Sequence, residues 1–81
     1  MQAEEIFNIL RGLVAEQFGM ELEKVTMDTS FEEDLSADSV DLVELVMAME
    51  EEFDIGEVQE EDLPQLKTVG DAVNFLAAKL K

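Results

Sequence analysis

Apolar positions recur along this chain with helical rather than strand spacing. From Ala3 to Phe18, Ile6, Ile9, Leu10, Leu13 and Val14 return at intervals of three and four residues, which predicts an amphipathic helix. Gly19 suits its C-terminal stop. A second helix is expected from Ser39 to about Phe53, with Asp38 as N-cap and Asp41 three residues later in the manner of a capping box. Acidic residues in that first turn complement the helix dipole. A short third helix is expected from about Gln59 to Leu63, limited by Pro64. The last begins after Thr68, where Asp71 completes a second box-like pair, and Val69, Ala72, Val73, Leu76 and Leu80 form its apolar face.

Residues 19–38 show little periodicity. Apolar Met20, Leu22, Val25, Phe31 and Leu35 recur through them, as expected of a loop pinned onto a core. A connection of this length in a small domain is usually functional or structurally anchored. The expected fold class is all-α: a small helical bundle of three main helices plus one short helix, with a long loop between the first and second. Residues 1–81 are expected to form a single domain.

The second helix carries two apolar arcs. At about 100° per residue, Leu42, Leu45, Val46, Met49 and Phe53 share one arc, which is assigned to the core. Val40, Val43 and Met47 fall roughly opposite, bordered by Glu44 and Glu51 on one side and Glu50 on the other. Scattered surface apolars are common. A narrow apolar stripe among carboxylates also suits docking by a basic partner with an apolar spot. The pattern alone supports both readings equally.

Charge and composition narrow the choice. The chain has 81 residues, 5 basic against 21 acidic, and a formal net charge of −16. This balance repels nucleic acid and anionic membrane surfaces and favours basic protein partners. Hydrophobic residues make up 47% of the chain, which provides a core and argues against disorder. Without Cys or His there is no disulfide, thiolate nucleophile, imidazole base or Cys/His metal site.

An EF-hand loop beginning at Asp34 fails at both defining positions, where Ser39 and Leu45 stand in place of Gly and Glu. The many carboxylates read as solvated faces rather than an acid–base pair. No run approaches the roughly 20 apolar residues of a membrane span. The N-terminus lacks the basic and apolar regions of a signal peptide, so a cytoplasmic location is expected.

The stretch from Asp34 to Phe53, with Asp38-Ser39-Val40 followed by Glu44-Leu45-Val46-Met47-Ala48 and Glu50-Glu51-Glu52-Phe53-Asp54, closely resembles the signature region of acyl carrier proteins. The resemblance extends to Glu16-Gln17-Phe18-Gly19, Val25-Thr26 and Thr68-Val69-Gly70-Asp71-Ala72, and so covers nearly the whole chain. It implies that Ser39 bears a 4′-phosphopantetheine derived from coenzyme A, on which acyl groups travel as thioesters. It further implies that Asp38, Val40, Asp41, Val43, Glu44, Met47 and Glu51 dock partners. Those partners would be a phosphopantetheinyl transferase (holo-acyl carrier protein synthase), and fatty acid synthase enzymes and acyltransferases with basic patches. By the same resemblance the chain is a monomeric carrier, not an enzyme, and it shelters the acyl chain within its bundle.

Three departures from the family pattern stand out. Val40 replaces the usual Leu, and Ser36 occupies a position where Gly is common. The stretch after Asp54 is about one residue longer, with its Pro delayed to Pro64. Fatty acid synthesis is the first expectation. A polyketide, D-alanine or other specialised acyl pathway is the alternative, and an unmodified acidic helical adaptor is an alternative of a different class.

Overall fold

The computed structural model describes residues 1–80. Helix α1 spans Ala3–Phe18, α2 spans Ser39–Phe53 and α3 spans Val69–Lys79. Each long helix begins and ends where its sequence supplies the chemistry. At Gly19 the backbone turns left-handed, with φ of 66°, and closes α1. Reciprocal capping boxes open the other two. Asp41 N donates to Asp38 Oδ1 at 2.9 Å, while Asp41 Oδ2 accepts from Asp38 N at 3.1 Å. Thr68 and Asp71 repeat the arrangement at α3, with both bonds at 3.1 Å. These boxes satisfy backbone N–H groups that the first turn of a helix would otherwise leave orphaned.

The three helices bury their apolar stripes in one cluster. Ile6, Leu10 and Val14 come from α1, Leu45, Val46, Met49 and Phe53 from α2, and Val69, Ala72, Val73 and Leu76 from α3. Leu42 and Leu80 are half-buried at its edge, whereas Ile9, counted in the α1 stripe by spacing, lies at the solvent boundary. Helix α1 packs against both α2 and α3.

The long connection is anchored much as its apolar residues suggest, with two differences. It contains a short 3-10 turn, Leu22–Lys24, which three residues are too few to announce by periodicity. Leu22, expected on the core, is 47% exposed, because that turn directs it outward while Val25 beyond it is buried. Backbone hydrogen bonds then tie the loop to the start of α3. Phe31 N donates to Lys67 O at 3.0 Å, Val69 N to Thr29 O at 2.9 Å and Gly70 N to Met27 O at 2.8 Å. Ser30 and Thr68 form an isolated antiparallel bridge within this patch. Buried Phe31 and Thr29 lie at the same place.

The third helix differs most from expectation. A 3-10 segment occupies Glu60–Gln65 with Pro64 inside it, rather than a helix from Gln59 to Leu63 ended by Pro64. The fixed proline φ near −65° matches 3-10 geometry, so Pro64 continues a tight turn that it would have broken in an α-helix. Leu66 N then donates to Leu63 O at 3.0 Å and leads the chain into α3.

Candidate functional site

Ser39 is the first residue of α2 and is exposed. Two features of the neighbouring chain fix its position. The Asp38–Asp41 box sets the first turn. From α1, the Gln17 side-chain amide donates to the Asp41 carbonyl at 2.7 Å, bridging the end of α1 to the start of α2. Just upstream, Ala37 N donates to Phe31 O at 2.8 Å, and Ser36 adopts a left-handed φ of 53°. That conformation is open to Gly at little cost and strained for Ser, so Ser36 carries strain that a Gly at this position would not.

The sequence-predicted docking residues all lie on α2 or at its cap, but the structure divides them. Val40, Val43 and Met47 are 62%, 41% and 60% exposed, and they form the outward stripe. Glu44 and Glu51 are exposed beside it. Asp38 and Asp41 also serve the cap, and Asp41 is half-buried. Glu50, expected as a border of the stripe, is half-buried and its carboxylate accepts from the Val58 N–H.

A groove of about 720 Å³ runs between α2 and the residues that follow it, lined on its apolar side by Val43, Val46, Met47, Val58 and Leu63. A second, of about 580 Å³, includes Ser39, Val40, Leu42, Leu63 and Pro64. The two share Val43, Glu60 and Leu63, so a continuous, largely apolar trough leads from Ser39 along α2.

This arrangement presents a hydroxyl; it does not activate one. The chain has no His or Cys, and the flanking carboxylates of Asp38 and Asp41 are engaged with backbone N–H groups. Among the described residues no group of three or more carboxylates is gathered to hold a metal ion. No helix among the described residues is long and apolar enough to cross a membrane. Positive charge is kept off the outward face of α2: the helix has no Lys or Arg, while Arg11 and Lys79 lie over the rings of Phe7 and Phe75 on α1 and α3, each 5.4 Å from the centroid.

Sequence reasoning did not identify the bridge from Gln17 or the bond from Glu50. Both polar side chains were visible, but their partners are backbone atoms that only the fold brings near.

Residues 8–76 match the family model described as the phosphopantetheine attachment site. The fold is similar to that of the acyl carrier protein from Enterococcus faecalis, with a TM-score of 0.79 and 32% sequence identity over 98% of this chain and 99% of that one. Such domains carry acyl groups as thioesters on a covalently held 4′-phosphopantetheine, and are in general non-catalytic. With the matched region spanning all of α2 and a shared helical bundle, this chain belongs to the acyl carrier proteins.

Proposed function

We propose that the Ser39 hydroxyl is the attachment point for 4′-phosphopantetheine and that the chain carries intermediates of fatty acid synthesis. The observation that carries this reading is the exposed Ser39 at the first residue of α2, at the head of an apolar trough and inside the matched region. The residues there fit the group. The helix N-terminus favours a phosphodiester through its dipole, and nothing buries the hydroxyl from an incoming enzyme. When attached, the group supplies the thiol that a chain without Cys lacks.

The chain's own residues position and advertise Ser39. The Asp38–Asp41 box and the Gln17 bridge hold the first turn of α2 in place. Val40, Val43 and Met47 offer an apolar stripe, and Asp38, Asp41, Glu44 and Glu51 surround it with negative charge, so a basic partner is steered to the face that Ser39 heads. On attachment the Ser39 oxygen would form a bond to the phosphorus of the phosphopantetheine half of coenzyme A as the pyrophosphate P–O bond breaks and adenosine 3′,5′-bisphosphate leaves. The Ser39 proton would go to the phosphopantetheinyl transferase, since Asp38 and Asp41 are occupied by the cap. The trough beyond Ser39 shelters the acyl chain. In this reading residues 1–81 act as one monomeric carrier domain in the cytoplasm, serving fatty acid synthase enzymes and acyltransferases.

An intact-mass spectrum of the protein purified from its native source tests the pathway. Straight-chain acyl thioesters on the modified protein are the expected cargo. Polyketide or D-alanyl masses would overturn the fatty acid assignment, and a protein bearing no group at all would overturn the carrier reading.

A further inference from the structure

Glu50 lines the trough together with Val43 and Met47 of the outward stripe, and its carboxylate is turned toward the chain that follows α2. It lies on α2 one turn beyond Val46 and Met47, is half-buried, and accepts the backbone N–H of Val58, eight residues further on. Between them the chain leaves α2 after buried Phe53 and turns through two left-handed residues, Asp54 with φ of 52° and Gly56 with φ of 79°. Those turns bring Val58, itself half-buried, back toward α2, where it lines the 720 Å³ groove with Val43, Val46, Met47 and Leu63. Among the described residues, the bond to Glu50 is the one hydrogen bond joining 55–59 to α2.

We propose that Glu50 is a positioning residue for cargo: by holding the Val58 N–H it sets the wall of the groove and so limits the length of acyl chain sheltered there. This rests on the reading that the trough lodges the acyl chain. A carboxylate is well suited to the task, because a hydrogen bond to a charged acceptor is among the stronger ones. Releasing it leaves residues 55–59 held against the helices only by the packing of half-buried Ile55 and Val58, so Val58 can withdraw and the groove lengthen. A surface carboxylate serving only to attract basic partners would leave Val58 unchanged when removed.

The test uses the full chain, unacylated and then loaded with straight acyl groups from butyryl to dodecanoyl. Amide hydrogen exchange at Val58 and methyl shifts of Val43, Val46, Met47, Val58 and Leu63 are followed by NMR. Glu50→Ala, which keeps helix propensity, is expected to speed Val58 exchange by about 10- to 100-fold in the unacylated protein. It is also expected to extend the cargo-dependent shifts to longer chains. Glu50→Gln, which retains an acceptor oxygen, is expected to restore most of the protection, and Glu52→Ala, at an exposed position off the groove, to change neither readout.

Val58 exchange and a chain-length profile unchanged in Glu50→Ala would overturn the proposal. So would equal losses in Glu50→Gln and Glu50→Ala, since charge rather than the acceptor would then be at work. If the wild-type groove residues show no cargo-dependent shift at any chain length, the sheltering trough falls and Glu50's role in it falls too. Exchange in the unacylated protein would still read the hydrogen bond separately.

Discussion

Replacing Gln17 tests how firmly the start of α2 is held. The Gln17 amide donates to the Asp41 carbonyl at 2.7 Å, joining two helices whose residues are 24 apart in sequence. Only an N–H donor fits opposite a carbonyl oxygen, which fixes the orientation of the amide. Asp41 O lies in the first turn of α2, where it also accepts along the helix, so Gln17→Ala leaves the carbonyl partnered and costs only the net value of one hydrogen bond, about 1 kcal/mol.

Gln17→Glu has nearly the same shape but offers only acceptors. Its carboxylate must turn away from the carbonyl, and it adds a negative charge beside Asp41 in a chain already at −16, so about 2 kcal/mol is expected. In a domain of this size each kcal/mol shifts the melting temperature by about 4–8 °C. Thermal unfolding followed by far-UV circular dichroism should therefore order the proteins wild type, Gln17→Ala, Gln17→Glu, from highest to lowest. Gln17→Glu melting at or above Gln17→Ala, or both melting with the wild type, would refute the bridge.

Other substitutions probe the scaffold with the same assay. Gly12 lies inside α1, and a Cβ there meets nothing within 4 Å, so Gly12→Ala should stabilise by about 0.5–1 kcal/mol through helix propensity. Gly70→Ala should lower the melting temperature despite a similar propensity gain. Its Cβ would sit 3.0 Å from the Met27 carbonyl oxygen, which the Gly70 N–H itself holds in place, and a rise in melting temperature would contradict that packing. Ser36→Gly should raise stability slightly: relief of left-handed strain, about 1–2 kcal/mol, exceeds the added flexibility of the unfolded chain, about 0.4–1 kcal/mol. A lower melting temperature for Ser36→Gly would show that the strain is absent. Added salt should raise the wild-type melting temperature by screening the excess of 21 acidic over 5 basic residues, and an unchanged value would refute the self-repulsion account.

Much of the fold is legible in the sequence because local chemistry and tertiary packing agree. Asp38 and Thr68, each followed by an Asp at the third position, mark the starts of α2 and α3, and Gly19 marks the end of α1. The two arcs of α2 separate in the structure as they do by angle: Leu45 and Met49 are inside, and Val40 and Met47 outside. Where the sequence misleads, the geometry is of a kind that leaves little periodic trace. A 3-10 segment accepts Pro64, so the proline that marks the end of an α-helix is internal here. Leu22 is apolar but sits on a three-residue turn that carries it outward. Gln17 and Glu50 bond to backbone atoms of distant residues, and side-chain identity alone does not point to those partners.

The central claim is that Ser39, and no other hydroxyl, bears the prosthetic group. Incubation of the purified chain with a phosphopantetheinyl transferase and coenzyme A, followed by intact-mass and fragment-mass spectrometry, tests it directly. One phosphopantetheine is expected on wild type and on Ser36→Ala, with the fragment mass assigned to Ser39, and none on Ser39→Ala. A wild-type chain left unmodified, or a Ser39→Ala chain modified as fully as wild type, would contradict the account.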